Sequence, residues 1–128
     1  MYEINYLQLR LLCGNLRALP EETVSRIAGG IPVALWMVEN ASHTSTLLMT
    51  YLFDEAGERV DSRPDMLIRV YHDSRQAEVI SHRCRLVDEP VRYWGKELDT
   101  MLLCRWRMNR FLYKWTTYLR RQGHSFTA

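Results

Sequence analysis

Alternating apolar and polar residues mark the centre of the chain, where Met66–Leu86 holds two such runs on either side of a polar segment centred on Asp73-Ser74. A period of two is typical of a β-strand with one buried face, and the turn residues between the runs predict a hairpin. A two-residue turn pairs Val70 with Ala77, Ile68 with Val79, and Arg69 with Glu78. This register places the apolar pairs on one face and the oppositely charged pair on the other. A four-residue loop keeps the same faces, whereas a three-residue loop would place Glu78 among the apolar residues.

Two further strands are predicted before the hairpin, over Ile31–Glu39 and Thr44–Phe53. Pro32 fits the beginning or the edge of a strand, because proline cannot donate a hydrogen bond to a neighbouring strand. The turn residues of Asn40–His43 connect the two strands. The charged segment Asp54–Pro64 is predicted to be a solvated loop that leads into the hairpin.

The periodicity changes to that of a helix at both ends of the chain. Tyr2–Cys13 carries apolar residues at spacings of three and four, which predicts a first helix. Pro20–Gly30 predicts a short second helix, because a proline and two carboxylates suit the positive end of a helix dipole. After an irregular connection over Asp88–Lys96, Glu97–Gln122 predicts a long helix that ends at Gly123.

The long C-terminal helix carries two apolar faces instead of one. The broader face is expected to lie on the sheet and consists of Met101, Cys104, Met108, Phe111, Leu112, Trp115 and Leu119. The narrower face consists of Leu98, Leu102, Trp106 and Tyr113. Between the two faces lies a row of cations, which we call the basic ridge: Arg107, Arg110, Lys114 and Arg121. A second apolar face requires a second contact, either within the chain or with a partner.

These elements together predict an α+β fold, in which a four-stranded antiparallel sheet packs against an N-terminal helix and a long C-terminal helix. The chain has 128 residues, which is enough for a single domain over residues 1–128. A domain of this length buries about two thirds of the surface that its unfolded form exposes.

Composition restricts the class of protein further. No apolar run approaches the roughly 18 residues that a membrane span needs, and the N-terminus lacks the basic and apolar regions of a signal peptide. Cys13, Cys84 and Cys104 are far apart and form no Cys-x-x-Cys pair. Neither a disulfide framework nor a structural zinc site is therefore expected, and the cysteine pattern predicts a reducing, cytoplasmic location.

Positive charge is concentrated at the C-terminal end. The net charge is only +2, but residues 94–128 contain seven lysines and arginines against two acidic residues, and no acidic residue follows Asp99. This asymmetry permits an acidic protein or an anionic ligand as partner without requiring one. The overall charge is too low to favour strong non-specific binding to duplex nucleic acid.

Three segments at the start, middle and end of the chain carry a family resemblance: Glu3-x-Asn5-Tyr6-x-x-Leu9, the hairpin residues Tyr71–Val79, and Asn109-Arg110-Phe111-Leu112-x-x-Trp115. Together they are similar to the YqiB-like proteins, small proteobacterial cytoplasmic proteins of unknown function. Two features depart from that family. Pro90–Gly95 stands where a Tyr-x-Tyr-Pro-Asn-like segment is expected, and a stretch before the first helix has no counterpart. The resemblance implies a fold and a cytoplasmic location, and it implies no reaction.

The hairpin turn holds the first candidates for chemistry, His72, Asp73 and Arg75. An imidazole beside a carboxylate can act as a general base or a metal ligand, and a guanidinium can bind an anion. Adjacent strand residues point to opposite faces, however, so His72 and Asp73 are not expected to form an oriented pair. His43, His72 and His82 lack the short spacing of metal ligands. The sequence contains neither a Gly-x-Ser-x-Gly elbow nor a glycine-rich phosphate loop, and it predicts no catalytic residue, metal or cofactor.

The leading hypothesis is a small non-catalytic cytoplasmic binding or adaptor protein that acts through its C-terminal helix. The expected binding residues are Arg107, Arg110, Lys114, Arg121, Trp106, Tyr113, His72 and Arg75. The partner is an acidic protein or a second copy of the chain, and the homodimer would form through Leu98, Leu102, Trp106 and Tyr113. One alternative is a binder of a phosphorylated small molecule or of nucleic acid through the basic ridge. The other is an enzyme with an unfamiliar site at His72, Asp73 and Arg75.

Overall fold

A single antiparallel sheet and two helices make up the computed structural model, which describes residues 1–52, 65–80 and 96–127, without the side chains of residues 96–102. The elements are α1 (Tyr2–Cys13), β1 (Glu22–Ser25), β2 (Val33–Asn40), β3 (Thr44–Tyr51), β4 (Met66–Tyr71), β5 (Gln76–Val79) and α2 (Lys96–Gln122). The strands lie in chain order across the sheet. The predicted α+β class is confirmed, but the predicted number of four strands is wrong, because the sheet has five.

The additional strand is β1, in the segment that was expected to form a short helix. Thr23 pairs with Leu35 and Val24 pairs with Ala34, so this segment adds an antiparallel edge to β2. A short segment gains little from helix dipole effects, whereas pairing with a neighbouring strand satisfies its backbone groups. Ser25 at the end of β1 also hydrogen bonds to His124 beyond α2. Contacts distant in sequence thus decide the conformation of this segment.

The central hairpin has the predicted register. Ile68 pairs with Val79, Val70 with Ala77 and Arg69 with Glu78, and the apolar members of these pairs are buried. Four residues, 72–75, form the turn. The remainder of Met66–Leu86 beyond Ile80, like the predicted loop Asp54–Pro64, lies outside the described residues.

The core lies between one face of the sheet and the two helices. The helix α1 has the predicted bounds and buries Leu9 and Leu12, and Gly14 with a φ of 74° follows its last residue. From the sheet, the core takes the side chains of alternate residues, including Leu47 and Ile68. Because both helices contribute to the same buried cluster, they cover one face of the sheet.

The helix α2 packs on the sheet along a face that differs from the expected one. Cys104, Leu112, Trp115 and Leu119 are buried as predicted, but Phe111 is largely exposed, so its assignment to the core was wrong. The buried face is instead completed by polar residues, Asn109 and Thr116. Thr116 donates its hydroxyl proton to the carbonyl of Leu112. The side-chain amide of Asn109 is also satisfied, because its oxygen accepts from the backbone N–H of Val79 and its nitrogen donates to the carbonyl of Arg105. Polar side chains that are satisfied in this way can be buried at little cost.

The cysteines differ from the expectation at one position. Cys13 is a free thiol, and burial raises its pKa to about 12. Cys104 is disulfide-bonded, although the spacing of the cysteines was not expected to support a disulfide framework. The described part of the chain contains no helix with the length and apolar character that crossing a membrane requires.

Candidate binding surface on the C-terminal helix

The basic ridge lies on the side of α2 that faces away from the core. All four of its side chains, Arg107, Arg110, Lys114 and Arg121, are exposed. In the described part of the chain, none of them forms a salt bridge with a carboxylate. No acidic residue follows Asp99 along the sequence, so the positive potential of the helix surface is not neutralised by its own side chains.

Exposed aromatic rings flank the basic ridge on both sides. Trp106 and Tyr113 lie along one side and Phe111 and Tyr118 along the other, and each of the four is between 38% and 53% exposed. Leu103 is similarly exposed near the beginning of this surface. Soluble monomers seldom leave so many large apolar side chains in contact with water on one surface. We call this combination of ridge and rings the α2 outer surface.

One contact within the α2 outer surface links a cation to a ring. The guanidinium carbon of Arg110 lies 5.3 Å from the centre of the Trp106 ring. At this distance, the negative face of the indole attracts the cation. The contact orients the arginine along the helix while its hydrogen-bond donors stay available to a carboxylate.

Hydrogen bonds between elements fix the direction in which the ridge points. The side-chain oxygen of Asn109 accepts a hydrogen bond of 2.9 Å from the backbone N–H of Val79, at the edge of β5. The side chain of Asn5 in α1 donates to the backbone carbonyl of Asn109. Asn109 therefore contacts both α1 and the sheet, and the residues on the opposite side of α2 must face solvent.

The narrower apolar face of α2 is covered only in part. Trp106 and Tyr113 are exposed, whereas the side chains of Leu98 and Leu102 lie outside the described residues. The helix α1 runs beside α2, where the side chain of Arg120 donates to that of Gln8 at 2.8 Å. The first helix therefore approaches this side of α2 without burying its two aromatic rings.

The structure separates the candidate residues of the hairpin turn. His72 is buried, and its Nε2 lies 2.7 Å from the hydroxyl oxygen of Ser45. The carboxylate of Asp73 is exposed and pairs instead with His43 at 2.8 Å and with Arg17 at 3.8 Å. Within the described residues, His72 and Asp73 therefore hydrogen bond or pair with different residues and do not form an oriented pair.

A metal site at the histidines likewise receives no support from the described geometry. Among the described residues, no three histidines, cysteines or acidic residues lie together as metal ligands would. His43 is exposed beside Asp73 and His72 is buried against Ser45, while His82 lies outside the described residues.

Two buried histidines are expected to make the stability of the fold depend on pH in mild acid. Burial lowers the pKa of His72 and of His124, whose Nδ1 lies 2.9 Å from the hydroxyl oxygen of Ser25. Below an ordinary histidine pKa of about 6.5, the unfolded chain binds protons that the folded chain does not. We therefore expect the free energy of unfolding to fall as the pH decreases from about 6.5 towards the lowered pKa values, and to be constant above this window.

Urea denaturation at a series of pH values between about 5.5 and 7.5 would measure this loss. The double variant His72→Gln and His124→Asn replaces each bonded ring nitrogen with an amide group that does not titrate. We expect the pH dependence to become shallower in this variant. An unchanged slope would mean that other groups cause the acid sensitivity.

Three residues of the α2 outer surface were not identified from the sequence. Phe111 was assigned to the core, and neither Leu103 nor Tyr118 was assigned to any face. Their positions follow from the burial of Asn109 and Thr116, which rotates the buried face of α2 away from them. Helical spacing groups these three residues on the exposed side of α2, but only when Asn109 and Thr116 are known to be buried.

The family model described as a protein of unknown function (DUF1249) matches residues 8–125. No curated protein and no solved structure matches the chain.

Proposed function

The chain belongs to the DUF1249 family of proteins of unknown function, and we propose that it is a non-catalytic binding protein. Its partner is an acidic segment of another protein, and the α2 outer surface is the binding surface. The observation that carries this proposal is the exposed basic ridge with aromatic rings on both sides and no acidic residue after Asp99.

The chemistry of this surface favours a protein partner over nucleic acid. Arginine and aromatic residues are enriched where proteins meet, and they supply most of the binding energy there. Five large apolar side chains are exposed beside the cations, whereas a surface that binds the phosphate backbone needs mainly charge. From Leu103 to Arg121 the surface is about 27 Å long, which fits about five turns of a partner helix. Such a partner would carry carboxylates for the ridge and apolar residues for the flanking rings.

A homodimer through Trp106 and Tyr113 is the alternative that the exposed rings would allow. A two-fold axis through this surface would, however, bring the two basic ridges close together. Like charges facing each other oppose association, whereas an acidic partner gains from the same charges. A wild-type dimer in sedimentation velocity that Trp106→Glu converts into a folded monomer would decide for self-association instead.

Binding of a phosphorylated small molecule or of nucleic acid by the ridge alone is a weaker alternative. The four cations lie along an exposed helix surface, and no described cavity is lined by them. A small anion would therefore contact only one or two of them at a time. An extended acidic segment can contact all four.

We also propose that the chain is a YqiB-like protein of the cytoplasm. The residues that support this are those of the family resemblance, and several of them, including Asn5, Leu9 and Asn109, are buried in the core. The disulfide at Cys104 counts against a cytoplasmic location, because disulfides are rare in reducing compartments. The redox state of Cys104 in intact cells would distinguish a reducing, cytoplasmic location from an oxidising compartment.

Removing the charge of the ridge tests the proposed function. In the variant Arg107→Gln, Arg110→Gln and Lys114→Gln, we expect the affinity for the acidic partner to fall by at least about ten-fold at low salt, and its salt dependence to become shallower. Stability should change little, because exposed charges contribute little to folding. A tagged wild-type chain would first isolate the partner from the native cells, and calorimetric titration of that partner would then compare the variants.

A matched control keeps the charge at the same positions. Arg107→Lys with Arg110→Lys preserves the potential of the ridge but removes the two guanidinium forks. If charge alone attracts the partner, the lysine variant should bind like the wild type. Equal affinity of the wild type and of the glutamine variant, at low salt, would reject the α2 outer surface as the binding site.

A further inference from the structure

An open groove lies between α1 and the turn of the central hairpin, apart from the α2 outer surface. Its volume is about 610 Å³, and it is lined by Glu3, Tyr6, Leu7, Arg10, Leu11, Ser74 and Arg75. This volume is within the usual range for sites that bind small molecules. The two surfaces share no residue, so a ligand of this groove is independent of the function proposed above.

The groove combines an apolar wall with unpaired cations. Leu7 and Leu11 lie one helical turn apart on α1, and each exposes more than half of its side-chain surface. Arg10 lies beside them, and Arg75 approaches from the hairpin turn. Within the described residues, neither guanidinium forms an ion pair or a hydrogen bond. Two cations against the single carboxylate of Glu3 leave the groove with a net positive charge.

The backbone of Arg75 adds a second observation. Its φ is 55°, in the left-handed region, and no other described residue except glycine has a positive φ. Glycine or asparagine would occupy this turn position with less strain. An arginine at this position lowers the stability of the fold, although glycine or asparagine could form the same turn. Backbone strain of this kind is common where a side chain binds a ligand.

From these observations we infer that the groove binds a small amphiphilic anion, in which a short apolar chain or ring carries a phosphate or a carboxylate. The guanidinium groups of Arg10 and Arg75 bind the anionic group, since their planar donors match its oxygens. The hydroxyl of Ser74 is available as a further donor. Leu7, Leu11 and the ring of Tyr6 cover the apolar part. The occupant is a monomeric molecule and not a bilayer surface, because the site is a groove of about 610 Å³ that a single small molecule fills.

Calorimetric titration with three probes would test the inference. Hexyl phosphate carries both features, inorganic phosphate carries only the charge, and hexanol carries only the chain. We expect hexyl phosphate to bind at least ten-fold more tightly than either of the other two. The inference is overturned if inorganic phosphate binds as tightly as hexyl phosphate, or if phosphatidylglycerol vesicles bind while hexyl phosphate does not.

A variant of the strained position separates binding from folding. Arg75→Asn removes one guanidinium and tolerates the left-handed backbone, so we expect at least five-fold weaker binding of hexyl phosphate with a melting temperature that is not lowered. Arg10→Gln should weaken binding to a similar extent without any change at the turn. If both variants bind hexyl phosphate as the wild type does, the groove is not its site.

Discussion

Replacing Ile68 with Asp is expected to prevent the chain from folding. The side chain of Ile68 is fully buried and belongs to the cluster that joins the sheet to both helices. It pairs with Leu47 in β3 and with Val79 in β5, so its neighbours on either side are apolar. A carboxylate without a partner at this place costs several kcal/mol, which is a large part of the total stability of about 5–15 kcal/mol that domains have.

Circular dichroism and gel filtration of Ile68→Asp would show whether a folded species exists. The conservative variant Ile68→Val is the control, because it removes a single methylene group and should cost only about 0.5–1.5 kcal/mol. If Ile68→Asp were soluble and melted at the wild-type temperature, the assignment of the buried face of the hairpin would be reversed.

The hairpin could be predicted from sequence because all of its information is local. The alternation of residues determines which side chains share a face, and the turn residues limit the loop to a few lengths. A two-residue turn was predicted to place Arg69 opposite Glu78, and the observed turn of residues 72–75 has this register. Local periodicity also gave the bounds of α1, since its apolar residues and Gly14 agree on where the helix ends.

The errors arose where distant contacts outweigh local preference. The segment of β1 carries signals for the start of a helix, but its residues gain more from pairing with β2. Phe111 was predicted to lie in the core because it shares the broad apolar face of the helix, but it is largely exposed and the polar Asn109 is buried. The hydrogen bond between Asn109 and Val79 spans 30 residues, and no pattern within the helix reveals it.

The two candidate surfaces differ in how far their residues could be grouped from the sequence. The basic ridge lies on one helix, so its residues could be grouped by helical spacing alone. The groove joins Arg10 to Arg75, which are far apart in sequence, and Arg75 could be named from the sequence only as an isolated anion-binding candidate. A site that is built from two elements requires the fold before its members can be assembled.

The family resemblance also has a structural explanation at several positions. Asn5 and Asn109 belong to two of the three segments from which the resemblance was predicted, and both are buried polar residues that connect α1, α2 and the sheet. Their side chains determine how the two helices lie on the sheet. The orientation of the α2 outer surface depends on these contacts, although neither residue belongs to that surface.

Replacing Asn109 with Leu is expected to destabilise the fold by about 2–3 kcal/mol, because the backbone N–H of Val79 loses its acceptor in a buried place.

The same substitution at Asn5 is a matched control. Both residues are buried, but the side-chain oxygen of Asn5 accepts no hydrogen bond within the described residues, and its amide makes a single hydrogen bond to the carbonyl of Asn109. Asn5→Leu removes that unpaired oxygen together with the hydrogen bond, so it should cost less than Asn109→Leu by about 1 kcal/mol or more. Urea denaturation of the two variants measures the difference, and equal losses of stability would mean that the contact between Asn109 and the edge of β5 contributes nothing specific.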